Sequence, residues 1–164
     1  MADCSFTAQT FAFLAALPAT NRRDGFAAHR QDYEAAVRTP ALAFIDARAG
    51  ELAMISPHFP AAAKKAGGSL MRIHRDTRFG KNKRPYKTNV GIHFRHEAGK
   101  DVHAPGYAED HPLIDDLKRK DFIAVVALDD GRVAAQHFPA DVLDYFQRAM
   151  PYMRFLCKAL KLRF

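Results

Sequence analysis

Apolar positions change period along the chain, and the changes mark its elements. Phe6, Thr10, Phe13, Leu14 and Leu17 recur every three or four residues and predict an amphipathic first helix, with Ser5 as its N-cap. A second helix is predicted over residues 24–38, with Phe26, Tyr33 and Val37 on one side. Pro40 opens a third, because a first helical turn needs no N–H there; Leu42, Ile45, Ala49 and Leu52 face inward. Ser56-Pro57 and Phe59-Pro60 end that unit, and 61–68 reads as a linker with room for one helical turn. At Leu70 the period shortens to two: Leu70, Arg72 and His74 alternate with Met71, Ile73 and Arg75. Residues 80–85 read as a turn too short for a crossover, so the returning strand 86–94 is antiparallel to the first. Thr88, Val90, Ile92 and Phe94 share one face of it, with a bulge near Asn89 or Gly91.

Residues 96–109 read as loop, and 112–120 as a short helix with acids first and cations last. The unbroken apolar run 122–128 is a buried strand, turned by Asp129-Asp130-Gly131. Pro139 opens the last helix, whose stripe is Leu143, Phe146, Met150, Met153, Cys157 and Leu160, and Pro151 kinks or divides it. The expected fold is α+β: an N-terminal helical block, an antiparallel sheet built on a hairpin, and a C-terminal helix kinked at a proline, all in one domain spanning 1–164. A strand at 122–128 without neighbours would leave an open edge, which predicts a homodimer or marginal stability.

Charge singles out the hairpin. Arg72, Arg75, Arg78, Lys81, Lys83, Arg84, Lys87 and Arg95 face one acid, Asp76, an excess that equals the net +7 of the whole 164-residue chain. Cations this dense repel one another unless solvent and salt, or an anion, answer them. Two readings stand: a solvated basic hairpin, or a site for a phosphate or carboxylate. Arginine suits the second, since its planar fork donates two parallel hydrogen bonds, with Lys81 and Lys87 as point charges. Arg72, Arg78, Lys87 and His93 are expected to converge from two strands. Tyr86 and Phe79 interleave with the cations, as stacking platforms for bases or as core. Asp76, between Arg75 and Arg78, reads as an ion-pair partner rather than a base.

Other chemistry is sparse. His93, His96, His103 and His111 with Asp101 and Asp110 form a loose group, but their spacing matches no compact metal-ligand motif, so no metal is expected. No cofactor motif appears either. Cys4 and Cys157 lie near opposite ends without CxxC spacing and read as reduced thiols, Cys157 in the core. The apolar stretch 11–19 follows Met1-Ala2-Asp3-Cys4, which has an acid and no cation, so it reads as a helix rather than a signal peptide. With no apolar run near the ~20 residues of a membrane span, a cytoplasmic protein is expected.

The run Arg72-Ile73-His74-Arg75-Asp76-Thr77-Arg78-Phe79, followed by Lys81 and by Lys83-Arg84-Pro85-Tyr86-Lys87-Thr88, resembles the central signature of the DUF2461 family of uncharacterised proteins. The resemblance extends to Phe11-Ala12-Phe13-Leu14, to Asn21-Arg22-Arg23-Asp24, to Asp110-His111-Pro112-Leu113-Ile114, and to Leu117-Lys118-Arg119-Lys120-Asp121-Phe122. It implies no established activity. The chain departs from the family twice. Gly25 stands where the family usually has Trp, and several dozen family residues are missing between Gly106-Tyr107 and Asp110. Asn21 and Arg23, within a matched motif, read equally as additions to the anion site or as cap and cover of the second helix. The function expected is an anion-binding module using the 72–87 hairpin, with an anionic small molecule or a nucleic acid as partner. The alternative is an enzyme, or the degenerate remnant of one, acting on a small anionic substrate.

Overall fold

The computed structural model of the protein describes residues 6–78, 81–98 and 126–164. Helices dominate: α1 (Ala8–Ala16), α2 (Arg23–Ala28), α3 (Arg30–Tyr33), α4 (Thr39–Ile55), α5 (Asp130–Ala134) and α6 (Phe138–Ala159). Thr7, not Ser5, occupies the N-cap position of α1, and its N–H donates to Thr10 Oγ1 at 3.3 Å. A 3-10 turn, Leu17–Thr20, with Pro18 near its start, leads from α1 toward α2.

The expected break before Pro40 is a smooth passage. Glu34–Arg38 forms a π-turn, and Thr39 N–H bonds to the Glu34 carbonyl, so α3 runs on into α4. Pro40 has no N–H for the Ala36 carbonyl, its partner in an unbroken α-helix. Thr10 Oγ1 donates to that carbonyl instead, at 2.6 Å. A buried side chain of α1 thereby satisfies the acceptor that the proline leaves open.

Two aromatic clusters hold the helices together. Leu17, Phe26, Tyr33, Val37, Ile73 and Tyr86 form one, and Phe6, Ala41, Phe44 and Phe138 the other. In the second, Phe44 stacks on Phe138 with centroids 5.7 Å apart, and Leu70, Val90 and Ile92 pack against it. The inward faces read from periodicity in the second and third helices are largely those observed.

Among the described residues no antiparallel sheet is formed, and the α+β expectation is corrected to a mostly helical fold. Among the described residues the basic hairpin pairs at two isolated antiparallel bridges, Leu70 with Ile92 and His74 with Tyr86. Met71 N to Gly91 O, His93 N to Ser69 O, Arg75 N to Pro85 O and Lys87 N to Ile73 O, at 2.8–2.9 Å, flank them. Both are thus pairs whose own N–H and C=O groups point away from each other. Between the bridges one side has three residues and the other five, so a continuous ladder cannot form. The excess bends out at Thr88 and Asn89, close to the expected bulge, and the opposite side bends at Ile73. Of the apolar run 122–128, only 126–128 lie among the described residues; they form no strand, and Val126 is 56% exposed.

Three smaller expectations also change. Residues 61–68 make no helical turn: Ser69 is buried, and its Oγ accepts from Ala62 N at 3.0 Å. Gly68 is needed there, because a Cβ would stand 2.4 Å from the Ala62 carbonyl oxygen. Asp129-Asp130-Gly131 starts a helix rather than a turn, since Asp129 Oδ1 caps Arg132 N at 2.7 Å. Helix α6 runs undivided through Pro151. Pro151 and Gln147 are both exposed, so water can serve the carbonyl that the proline leaves without a donor. The short helix expected at 112–120, Cys4, Phe79, His103, His111, Asp101 and Asp110 lie outside the described residues. No helix among the described residues is long and apolar enough to cross a membrane.

Candidate functional site

The basic hairpin is anchored from below. Tyr86 is buried, its ring stacked on Phe26 with centroids 4.1 Å apart and tilted against the His74 ring at 5.3 Å. Its backbone is held by Asn21, also buried: Tyr86 N donates to Asn21 Oδ1 and Asn21 Nδ2 donates to Tyr86 O, each at 3.0 Å. The two bonds assign the amide orientation, because an N–H needs the oxygen and a carbonyl needs the nitrogen. A side-chain amide thus pairs with the hairpin as a neighbouring strand would, across 65 residues of sequence.

This clamp places the turn carrying Arg22 and Arg23 directly beside the hairpin. Arg23 is exposed at the start of α2, and Arg22 lies 3.8 Å from Asp24. Gly25 permits the turn: a Cβ would stand 2.4 Å from the Thr20 carbonyl oxygen.

Of the hairpin cations, Arg72, Lys81 and Arg84 are exposed, and Arg75 and Lys87 are half-buried. None of these five forms an ion pair within 4 Å among the described residues. Arg78 is engaged: its Nε and Nη2 donate to the two oxygens of Asp76 at 3.1 and 2.7 Å, and its backbone N–H adds a third bond at 3.1 Å. Those bonds, with Arg72 at longer range, hold the Asp76 carboxyl below the usual range. The reading of Asp76 as an ion-pair partner fits this geometry. Lys83 Nζ donates to the Thr77 carbonyl at 2.9 Å and Arg84 N to Asn82 Oδ1 at 3.0 Å, which shape the tip.

The residues singled out by sequence therefore divide. Arg72, Arg75, Arg78, Lys81 and Lys87 sit along the hairpin toward its tip, with Arg23 brought alongside. Asn21 and Tyr86 are both buried, one as the clamp and one as the clamped core residue. His93 lies at the opposite, open end of the hairpin, where its backbone N–H bonds to Ser69 O at 2.9 Å. Burial pushes its imidazole below the usual value, with Arg95 acting in the same sense and a bond to the Gly68 backbone opposing both. The clamp role of Asn21 had no sequence signal beyond its place before Arg22-Arg23.

Among the described residues no three His, Cys, Asp or Glu side chains gather closely enough to hold a metal. A lone buried thiol, Cys157, is raised in pKa by burial.

No curated protein and no solved structure matches the chain. A family model described as conserved hypothetical protein (DUF2461) matches residues 9–108 and 103–155. The two segments overlap at residues 103–108, and together they take in α1, the Asn21 clamp, the hairpin and most of α6. This chain belongs to the DUF2461 family of conserved hypothetical proteins.

Proposed function

We propose that this protein binds a phosphate-bearing anion, either a phosphate ligand or the backbone of a nucleic acid, on the surface formed by the basic hairpin and Arg23. The observation that supports the reading is the Asn21–Tyr86 clamp, which ties the segment carrying Arg23 to the hairpin that carries the other cations. Arg72, Arg75, Lys81, Arg84 and Lys87 supply the charge there, and the arginine forks suit phosphate oxygens. With the Tyr86 ring spent in the core, recognition rests on charge rather than on base stacking.

Binding of that kind depends steeply on salt. For a single-stranded oligonucleotide the slope of log K against log salt is about −0.7 per phosphate contacted. Replacement of Lys81 or Lys87 by Ala is expected to weaken binding for all sequences alike and to flatten the slope by roughly one contact. Fluorescence anisotropy with a labelled oligonucleotide, and competition by inorganic phosphate, measures both. Absence of binding at low salt, or a slope indifferent to both substitutions, removes the nucleic-acid reading. If phosphate fails to bind as well, the hairpin is only a solvated face.

A further inference from the structure

Between α1, the returning arm of the hairpin and the first half of α6 the packing leaves a cavity of about 710 Å³. Its floor is the second aromatic cluster. There the buried Phe6 meets Phe44 at 5.6 Å and Phe138 at 6.4 Å between centroids. Phe11 of α1, Phe94 of the hairpin and Phe146 of α6 also line it, and the last two meet edge to face at 5.5 Å. A space of this size falls within the roughly 300–1,000 Å³ of small-molecule sites, which join an apolar lining to a few polar groups.

The charge of that lining is opposite to the charge of the chain. Among the described residues around the cavity there is no Lys, Arg or His, and the one ionisable side chain is Asp130. Lys87 precedes Thr88 in sequence but does not line the cavity, and Arg132 is paired with Asp141 at 3.1 Å. Asp130 is exposed at the start of α5 and forms no ion pair within 4 Å among the described residues. Its neighbour Asp129, by contrast, is engaged as the cap of Arg132 N. Thr88 and Asn89, where the returning arm bends out, also line the cavity and are exposed. Their side chains make no hydrogen bond among the described residues. The mouth therefore offers a carboxylate, an amide oxygen and a hydroxyl, each able to accept a hydrogen bond. The interior offers aromatic rings, whose faces attract a cation.

We propose that this cavity binds an organic cation, an apolar body carrying a protonated amine, with the body among the phenylalanines and the ammonium toward Asp130. The site is separate from the basic hairpin tip and does not rest on the anion reading. At a net charge of +7 the chain as a whole repels cations and attracts anions, so a preference for an amine has to arise locally.

The test uses the full chain at neutral pH and three probes sharing one ring system: naphthylmethylamine, naphthylmethanol and naphthylacetate. Probe fluorescence gives the affinities. Nuclear Overhauser effects from the naphthyl ring to the methyl groups of Val133 and Val142, both at the cavity wall, give the place. The amine is expected to bind about five- to thirtyfold more tightly than the alcohol, as a cation–π contact joined to an exposed carboxylate pair implies. Asp130→Asn is expected to lower the amine's affinity by about two- to fivefold and to leave the alcohol's unchanged. Asp46→Asn, the same change of charge at an exposed residue of α4, is expected to behave as wild type.

Amine and alcohol binding equally, an acetate that binds in the cavity as tightly as the amine, or an amine indifferent to Asp130→Asn overturns the proposal. So does an amine that binds without contacts to Val133 and Val142. If Asp130→Asn fails to fold, the wild-type chain decides. Overhauser effects between Asp130 and the methylene protons beside the ammonium support the site, and their absence from the bound amine refutes it.

Discussion

Asn21→Ala removes the clamp and leaves two groups of one residue without partners, the Tyr86 N–H and C=O. Tyr86 is 6% exposed and Asn21 likewise 6%, so water reaches the vacated bonds poorly. Each orphaned buried group costs about 1–3 kcal/mol. Together they cost about 2–6 kcal/mol, a large part of the roughly 5–15 kcal/mol that holds an ordinary domain folded. In urea, with a slope of about 2 kcal/mol per molar, the midpoint is expected to fall by about 1–3 M. Asn82→Ala is the control, since Asn82 also accepts a backbone N–H but is exposed, and its change is expected within about 0.5 kcal/mol. Asn21→Asp sharpens the test. A carboxylate there still accepts from Tyr86 N but faces the Tyr86 carbonyl without a donor, so the folded state favours the protonated acid and raises its pKa. The variant's lost stability should therefore be largest at neutral pH and partly return as pH falls through that raised pKa. An Asn21→Ala protein within about 0.5 kcal/mol of wild type, or an Asn21→Asp protein whose deficit does not depend on pH, would refute the clamp.

Further outcomes follow from other contacts. Tyr86→Ala, which empties the stack on Phe26, is expected to cost about 3–5 kcal/mol by chemical denaturation. Thr10→Val leaves the Ala36 carbonyl with no hydroxyl donor and is expected to cost about 1–3 kcal/mol, whereas Thr10→Ser keeps the donor and most of the stability. Asp76 has a depressed pKa in the folded chain, so its pairing with Arg78 is present above the unfolded value and lost as pH falls through the folded one. A carboxyl titration by NMR checks this, and Asp76→Asn, which releases Arg78 from its bidentate partner, is expected to strengthen phosphate binding in the anisotropy assay.

Much of the helical framework was legible because its information is local. Phe26, Tyr33 and Val37 recur at helical spacing and are buried together, and Pro40 falls in the first turn of α4. The short 80–85 connection is enough to make the two arms of the hairpin antiparallel, and the density of cations marks its tip. Pairing across the hairpin was another matter. Alternation at 70–75 and 86–94 predicts strands, but two extra residues at Thr88 and Asn89 and a bend at Ile73 reduce them to separate bridges, and no sheet forms among the described residues. A hydrophobic period states which face a residue prefers, not whether opposing arms have equal length.

Side-chain roles depended still more on distant partners. Tyr86, set among cations, reads as a stacking platform or as core until Phe26 takes its ring; Asn21 reads as an anion ligand or as a cap until it meets a backbone 65 residues away. Pro40 and Pro151 both remove a donor from a helix, yet neither divides it. Thr10 from another helix answers the first, and exposure to water permits the second. Periodicity, charge density and turn length belong to neighbouring residues and can be read along the chain. Which polar group satisfies which, and which ring fills which space, is decided only when remote segments meet and each buried group must find a partner.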